Sequence, residues 1–102
     1  NSTEALTNTS TAVSVSTAIS TVDSSGGAVT VTLAAGVTGQ LKTIICTTAG
    51  NNITVTPAAT VGSGTTVVLD AAGESVQLLY TGTAWAAVAT SSFATNIATV
   101  IQ

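Results

Sequence analysis

At 102 residues and 9.8 kDa the chain suits one small domain with a modest core. Charged residues make up 5% of it, against about 25% in typical soluble domains. With one basic residue, Lys42, and a net charge of −3, it lacks the cations that a nucleic-acid surface needs.

Other classes are excluded as directly. No run approaches the roughly 18 apolar residues of a membrane-spanning helix. There is no His, and the single Cys46 has no thiol partner, so neither a zinc site nor a Cys/His dyad can form. About a third of the chain is Ser or Thr, placed between small apolar residues almost every second position. That alternation is a strand signal. Little charge also means little repulsion between copies, so an assembled protein is expected. The sequence starts at Asn1 without an initiator Met, so upstream residues are expected to have been removed or left out.

Residues 1–11 are polar apart from Ala5 and Leu6 and predict an extended arm, loose or laid on a neighbouring subunit. Ala12 to Val22 predicts a first strand, with Val13, Val15 and Ile19 on one face and Ser14, Ser16 and Ser20 on a wet face. Asp23 to Gly27 is a turn cluster. Ala28 to Leu33 alternates again, with Val29, Val31 and Leu33 inward and Thr30 and Thr32 outward. Leu41, Ile44, Ile45 and Cys46 form the densest bulky apolar cluster and predict a central strand covered on both faces. The Ala49-Gly50-Asn51-Asn52 bend and the Ile53-Thr54-Val55-Thr56 return complete a predicted β-hairpin. Lys42 should face away from Leu41, its ammonium at the rim or paired with an acid.

After Pro57 the strand must stop or lie at an edge. Thr65 to Leu69 predicts a strand. Ser75 to Tyr80 predicts another, with Val76, Leu78 and Tyr80 on one face and Leu79 on the other. Thr81 to Ala84 turns the chain, and Trp85 to Ala89 returns with Tyr80 and Trp85 as a cross-strand pair. The tail carries Phe93, Ile97, Val100 and Ile101 at a spacing that fits one helical face, but its Thr and Ile content favours a second, extended arm. Thr30 to Gly36 echoes Thr66 to Gly73, which predicts two similar strand-AAG-hairpin halves of about 36 residues.

The expected fold is therefore all-β: one small antiparallel sandwich or barrel-like domain of about 7–8 strands over 12–90, with arms at 1–11 and 91–102. The chemistry for catalysis is thin. Asp70 and Glu74 share a loop without calcium-loop spacing. Asp23 with either of them would make a carboxylate pair, but no aromatic platform flanks it. The hydroxyls have no base to activate them. No enzyme, metal or cofactor is expected. The three N-glycosylation matches at Asn1, Asn8 and Asn52 are cheap in a chain so rich in Thr. Candidate contact residues for other copies are Leu6, Tyr80, Trp85, Phe93, Ile97 and Ile101. Tyr80 and Trp85 could alternatively form a glycan platform or fill the core.

The runs TVTLAAGVTGQLKTI, ITVTP and TVVLDAAGESVQLLYTGTAWAAV together resemble a small β-domain of tailed-phage virion proteins. It recurs in capsid decoration (cement) proteins and in tail or fibre components. The residues that carry the resemblance are Thr32, Leu33, Gly36, Gly39, Gln40, Lys42 to Ile44, Val55 to Pro57, Leu69, Gly73, Ser75, Val76, Leu78 to Tyr80 and Trp85. They cover roughly Val13 to Ala89. The resemblance implies a virion protein and a trimer, without saying which part of the particle it occupies. Together with the small, low-charge chain it leads to the expectation of a non-enzymatic capsid decoration protein, a homotrimer on the capsid surface whose partners are itself and the major capsid protein or another virion protein. Nucleic acid and membrane are not among the expected partners. A tail-fibre or knob domain contacting the host surface, and a secreted filament subunit joined by donor strands, are the alternatives.

Overall fold

The structure, a computed structural model, describes residues 2–91. Among them there is no helix, and nine strands form two mixed sheets. In chain order the strands are β1 (Thr3–Leu6), β2 (Ala12–Val13), β3 (Ile19–Asp23), β4 (Val29–Leu33), β5 (Leu41–Thr48), β6 (Ile53–Pro57), β7 (Val67–Leu69), β8 (Ser75–Tyr80) and β9 (Trp85–Ser91). Sheet A has the order β1-β3-β5-β8-β9, and sheet B has β2-β4-β6-β7.

The first six strands alternate between the sheets, and each of β1 to β4 pairs in parallel with the strand two places on. The chain thus winds as a flat coil, laying one strand in each sheet per turn. Two turns are in identical step: Ile19 pairs with Thr43 and Val29 with Ile53, both 24 positions along. Val29-Thr30-Val31-Thr32-Leu33-Ala34-Ala35 lies beside Ile53-Thr54-Val55-Thr56-Pro57-Ala58-Ala59. This is the repeat the fold uses. In the 36-residue repeat predicted from sequence, the two strands compared are β4 and β7, which flank β6 in opposite senses. Only the second unit ends in a hairpin.

The sheets are accordingly mixed where the sequence predicts antiparallel ones, and the predicted central hairpin does not form. β5 and β6 belong to different sheets. The bend between them stacks on the corner of the preceding turn instead of reversing the chain. Ser24 is fully buried there and donates its Oγ to the Asn51 carbonyl at 2.8 Å. Asn51 Nδ2 donates to the Ser24 carbonyl at 2.9 Å. A Cβ at Gly50 would lie 3.1 Å from Ser25 Cα, so the glycine permits the close stacking. The hairpin predicted around Thr81 to Ala84 does form, as β8–β9, with Gly82 at φ +114° in its turn.

The strand predicted over Ala12 to Val22 is divided between two sheets. Ser14 Oγ bonds Ser16 Oγ at 2.8 Å and accepts from Ser16 N at 3.1 Å, a local turn that bends the chain across. Ser20 is then an inward residue rather than one of a wet face, and Ile19 turns partly outward. The N-terminal residues, predicted as an arm, contain β1, an edge strand of sheet A with Leu6 in the core.

One core lies between the sheets. Sheet A contributes Leu6, Val22, Ile44, Cys46, Val76, Leu78, Tyr80 and Trp85, and sheet B contributes Val13, Val29, Val31, Leu33, Ile53, Val55 and Leu69. The period of two does this directly, as in β4, where the three apolar residues are buried and both threonines exposed.

Candidate interaction surface

The contact residues proposed from sequence separate into two groups. Leu6, Tyr80 and Trp85 are core residues, at 6%, 8% and 1% exposure. Phe93, Ile97 and Ile101 lie outside the described residues. Tyr80 and Trp85 sit opposite each other across β8–β9, with ring centroids 5.1 Å apart at an interplanar angle of 68°. Trp85 Nε1 donates to the Ala34 carbonyl at 2.9 Å, which satisfies the indole inside the core. A Cβ on Gly36 would stand 2.9 Å from Trp85 Cζ2, so the glycine seats the ring. Tyr80 N donates to the Gln40 carbonyl at 2.9 Å, and Gln40 Nε2 donates to the Val15 carbonyl. Gly36, Gln40, Tyr80 and Trp85 are thus one folding corner, and the rings form no exposed glycan platform.

Lys42 points inward from β5 and is fully enclosed. Its Nζ donates to the Thr17 carbonyl at 2.9 Å and to Thr17 Oγ1 at 2.7 Å, and lies 3.6 Å from Glu4 Oε2. The acid pairing expected of Lys42 is present, with a residue of the supposed arm. Glu4 Oε2 also accepts from Ser20 Oγ at 2.6 Å and Ser14 N at 2.7 Å. Burial pushes the Glu4 carboxyl up, but the bonds from Ser20 and Ser14 and the Lys42 ammonium outweigh it and hold it below the ordinary value. For Lys42, burial dominates and lowers the ammonium pKa, with Glu4 restoring part of it. The two partners differ because Glu4 keeps 21% of its side chain in water and Lys42 keeps none.

The remaining acids are occupied in turns. Asp23 Oδ1 accepts from Ser25 N at 2.9 Å and Ser25 Oγ at 2.6 Å, bonds that lower its pKa. Glu74 Oε1 accepts from Asp70 N and Ala71 N, and its hydrogen bond and charge raise Asp70. Among the described residues no group of three or more His, Cys, Asp or Glu could hold a metal ion. Burial first, and then the charges of Glu74, Asp23 and Asp70, push the Cys46 thiol up, away from the reactive thiolate.

The outer faces of the sheets differ in kind. Sheet B presents Thr30, Thr32, Thr54 and Thr56, paired Thr30 with Thr54 and Thr32 with Thr56, with one half-exposed apolar residue, Val68, opposite Thr54. Sheet A presents Leu41 and Val88, each half exposed, around the half-buried Ile19, Ile45, Leu79 and Ala86. Leu41 stands opposite Leu79, and Leu79 opposite Ala86. The predicted central cluster is therefore split, with Ile44 and Cys46 in the core and Leu41 and Ile45 outside it. Apolar residues on both faces of β5 and β8 were the sequence signal for this surface.

Comparison with family models, with curated proteins and with solved structures finds no match to this chain.

Proposed function

We propose that this chain is a non-enzymatic virion structural protein, a capsid decoration protein that binds and braces a phage head as a homotrimer. The observation that carries this reading is the outer face of sheet A. A chain with five charged residues leaves Leu41, Val88 and their half-buried neighbours uncovered on one broad sheet. Such a face gains from burial against a copy or a lattice partner. The Lys42–Glu4 ion pair is internal, tying β1 to β5, so attachment through this face relies on apolar contact and changes little with salt. The virion setting is supported by the resemblance of the sequence runs, whose residues Gly36, Gln40, Tyr80 and Trp85 meet in one structural corner.

Localisation in purified particles tests the reading. A copy number on the scale of the capsid lattice, and particles that lose heat resistance without the protein, are expected. A Leu41→Lys chain should keep its fold, within about 0.5 kcal/mol of wild type as for most surface changes, yet fail to bind or brace the head. Equal binding by that variant, or absence of the protein from particles, would overturn the reading.

A further inference from the structure

Sheet A ends on β9, and among the described residues no strand continues the ladder beyond it. Among the described residues only its first residue is engaged on the outer side, where Trp85 N donates to the Ala59 carbonyl at 2.9 Å and Val61 N donates to the Trp85 carbonyl at 3.0 Å. Ala87 to Thr90 are exposed. β9 has none of the lysines, acids or prolines that commonly block an edge, and one bulge in its pairing with β8 is its only irregularity. Just inside this edge lies a cavity of about 130 Å³, lined by Pro57, Val61, Val67, Leu78, Trp85 and Ala87. An apolar cavity of about 150 Å³ holds a benzene-sized group, so this one suits a single branched aliphatic or ring side chain.

An unpaired backbone edge beside an apolar cavity is the geometry of strand addition, in which the ladder supplies affinity and alternate side chains supply fit. We propose that the β9 edge accepts an extended segment from a second copy of this chain, seating one apolar side chain in the cavity. The edge and the cavity rim select such a partner. Residues 57–69 and 75–91 contain no charged residue, so a charged segment would lose its hydration without compensation. The chain itself supplies uncharged segments, including the eleven residues that follow Ser91, where Phe93, Ile97 and Ile101 fall at positions of one parity. The N-terminal strand is not available as donor, because Glu4 is committed to Lys42, Ser14 and Ser20 of its own copy. The inference goes beyond the proposed function and does not rest on a virion location.

Hydrogen exchange on the full chain across a dilution series tests it, together with sedimentation and Trp85 emission. Association at high concentration should slow exchange of the amides between Ala87 and Thr90 that face away from β8, and shift the emission of Trp85, which lines the cavity. Ala87→Lys, which puts a charge at the cavity mouth, should raise the concentration for half-association about tenfold or more. A chain that stays monomeric at every concentration would overturn the proposal, as would outward-facing β9 amides already protected at the greatest dilution. Association that leaves those amides unprotected, and that Leu41→Lys abolishes, would overturn it in favour of the outer face of sheet A. If Ala87→Lys fails to fold, the wild-type exchange pattern decides alone. If it folds and associates like wild type, the proposal fails.

Discussion

At one edge of sheet A, β1 is fastened by a half-buried carboxylate that gathers a lysine, a serine hydroxyl and a backbone amide from three other parts of the chain. At the other edge, β9 is held by the hairpin to β8 and by the packing of Trp85, with an apolar cavity beside it. The first is a polar closure and the second an apolar one. The difference follows from what each edge strand can bring. β1 has four residues and one buried apolar side chain, Leu6, too little burial to order a terminal strand by itself. β9 follows a tight turn, so its chain entropy is largely met by the hairpin, and one indole anchors it. Directional bonds specify a single partner for β1. Apolar closure is less particular, which leaves the last edge open to another strand.

The largest test falls on the apolar closure. Trp85→Ala removes the biggest fully buried side chain and its bond to Ala34, beside a cavity that already exists. A loss of about 3–5 kcal/mol is expected, a large share of the stability of a domain whose total is about 5–15 kcal/mol. Urea unfolding followed by far-UV circular dichroism measures it. A loss below about 1 kcal/mol would mean that the hairpin alone holds β9, and the contrast between the edges would disappear.

The polar closure is tested next. Glu4→Ala leaves the enclosed Lys42 ammonium without its carboxylate, for about 3 kcal/mol, the low end for a broken buried pair because Glu4 keeps some water. Glu4→Gln combined with Lys42→Met removes both charges and keeps much of the volume. It should recover to within about 1 kcal/mol of wild type in the same urea measurement. If the double variant is as unstable as Glu4→Ala, hydrogen bonding rather than charge fastens β1.

These two closures were unequally legible in the sequence. The β8–β9 hairpin and its aromatic pair could be read because every determinant is local: alternation, a Thr-Gly-Thr-Ala turn, and rings at facing positions. The all-β class and the inward residues of β4 and β8 could be read for the same reason. The parallel winding could not, because the Ala49–Asn52 bend has the composition of a hairpin turn, and only Ser24, 27 positions away from Asn51, turns it into a stacked corner. The sequence does show the 24-residue step, in VTVTLAA against ITVTPAA, but a chain so rich in Val, Thr and Ala offers competing echoes at other spacings. The role of Glu4 was hidden most deeply. Its partners lie 10 to 38 positions away, and a lone acid in a polar stretch reads as solvated arm. Lys42 was the available clue, since a cation between apolar strand residues requires an acid from somewhere. The outer face of sheet A was visible as apolar residues on both faces of β5 and β8, but not which of the two faces was the core.

The smallest effect is the pH dependence of the polar closure, and it can separate charge from hydrogen bonding without disturbing the packing. Folded Glu4 titrates below its ordinary value of 4.5. A depressed carboxyl contributes stability above its unfolded value and loses it as pH falls through the folded value, because the unfolded chain then binds the proton more readily. Asp23 contributes in the same direction, whereas Asp70, raised by Glu74, opposes both, so the raw acid limb mixes three groups. Subtracting the curve of Glu4→Gln isolates the first. The stability difference between wild type and that variant should narrow as pH drops below 4.5, by about 1 kcal/mol for each pH unit of depression. On the alkaline side Lys42 acts with a slope of the same sign. Its folded value lies below the ordinary 10.5, so between the two the unfolded chain holds the extra proton and stability rises with pH. Lys42→Met should remove that rise. An acid-side difference independent of pH would mean that Glu4 holds β1 equally well without its charge, and the two edges would then differ in hydrogen bonding alone.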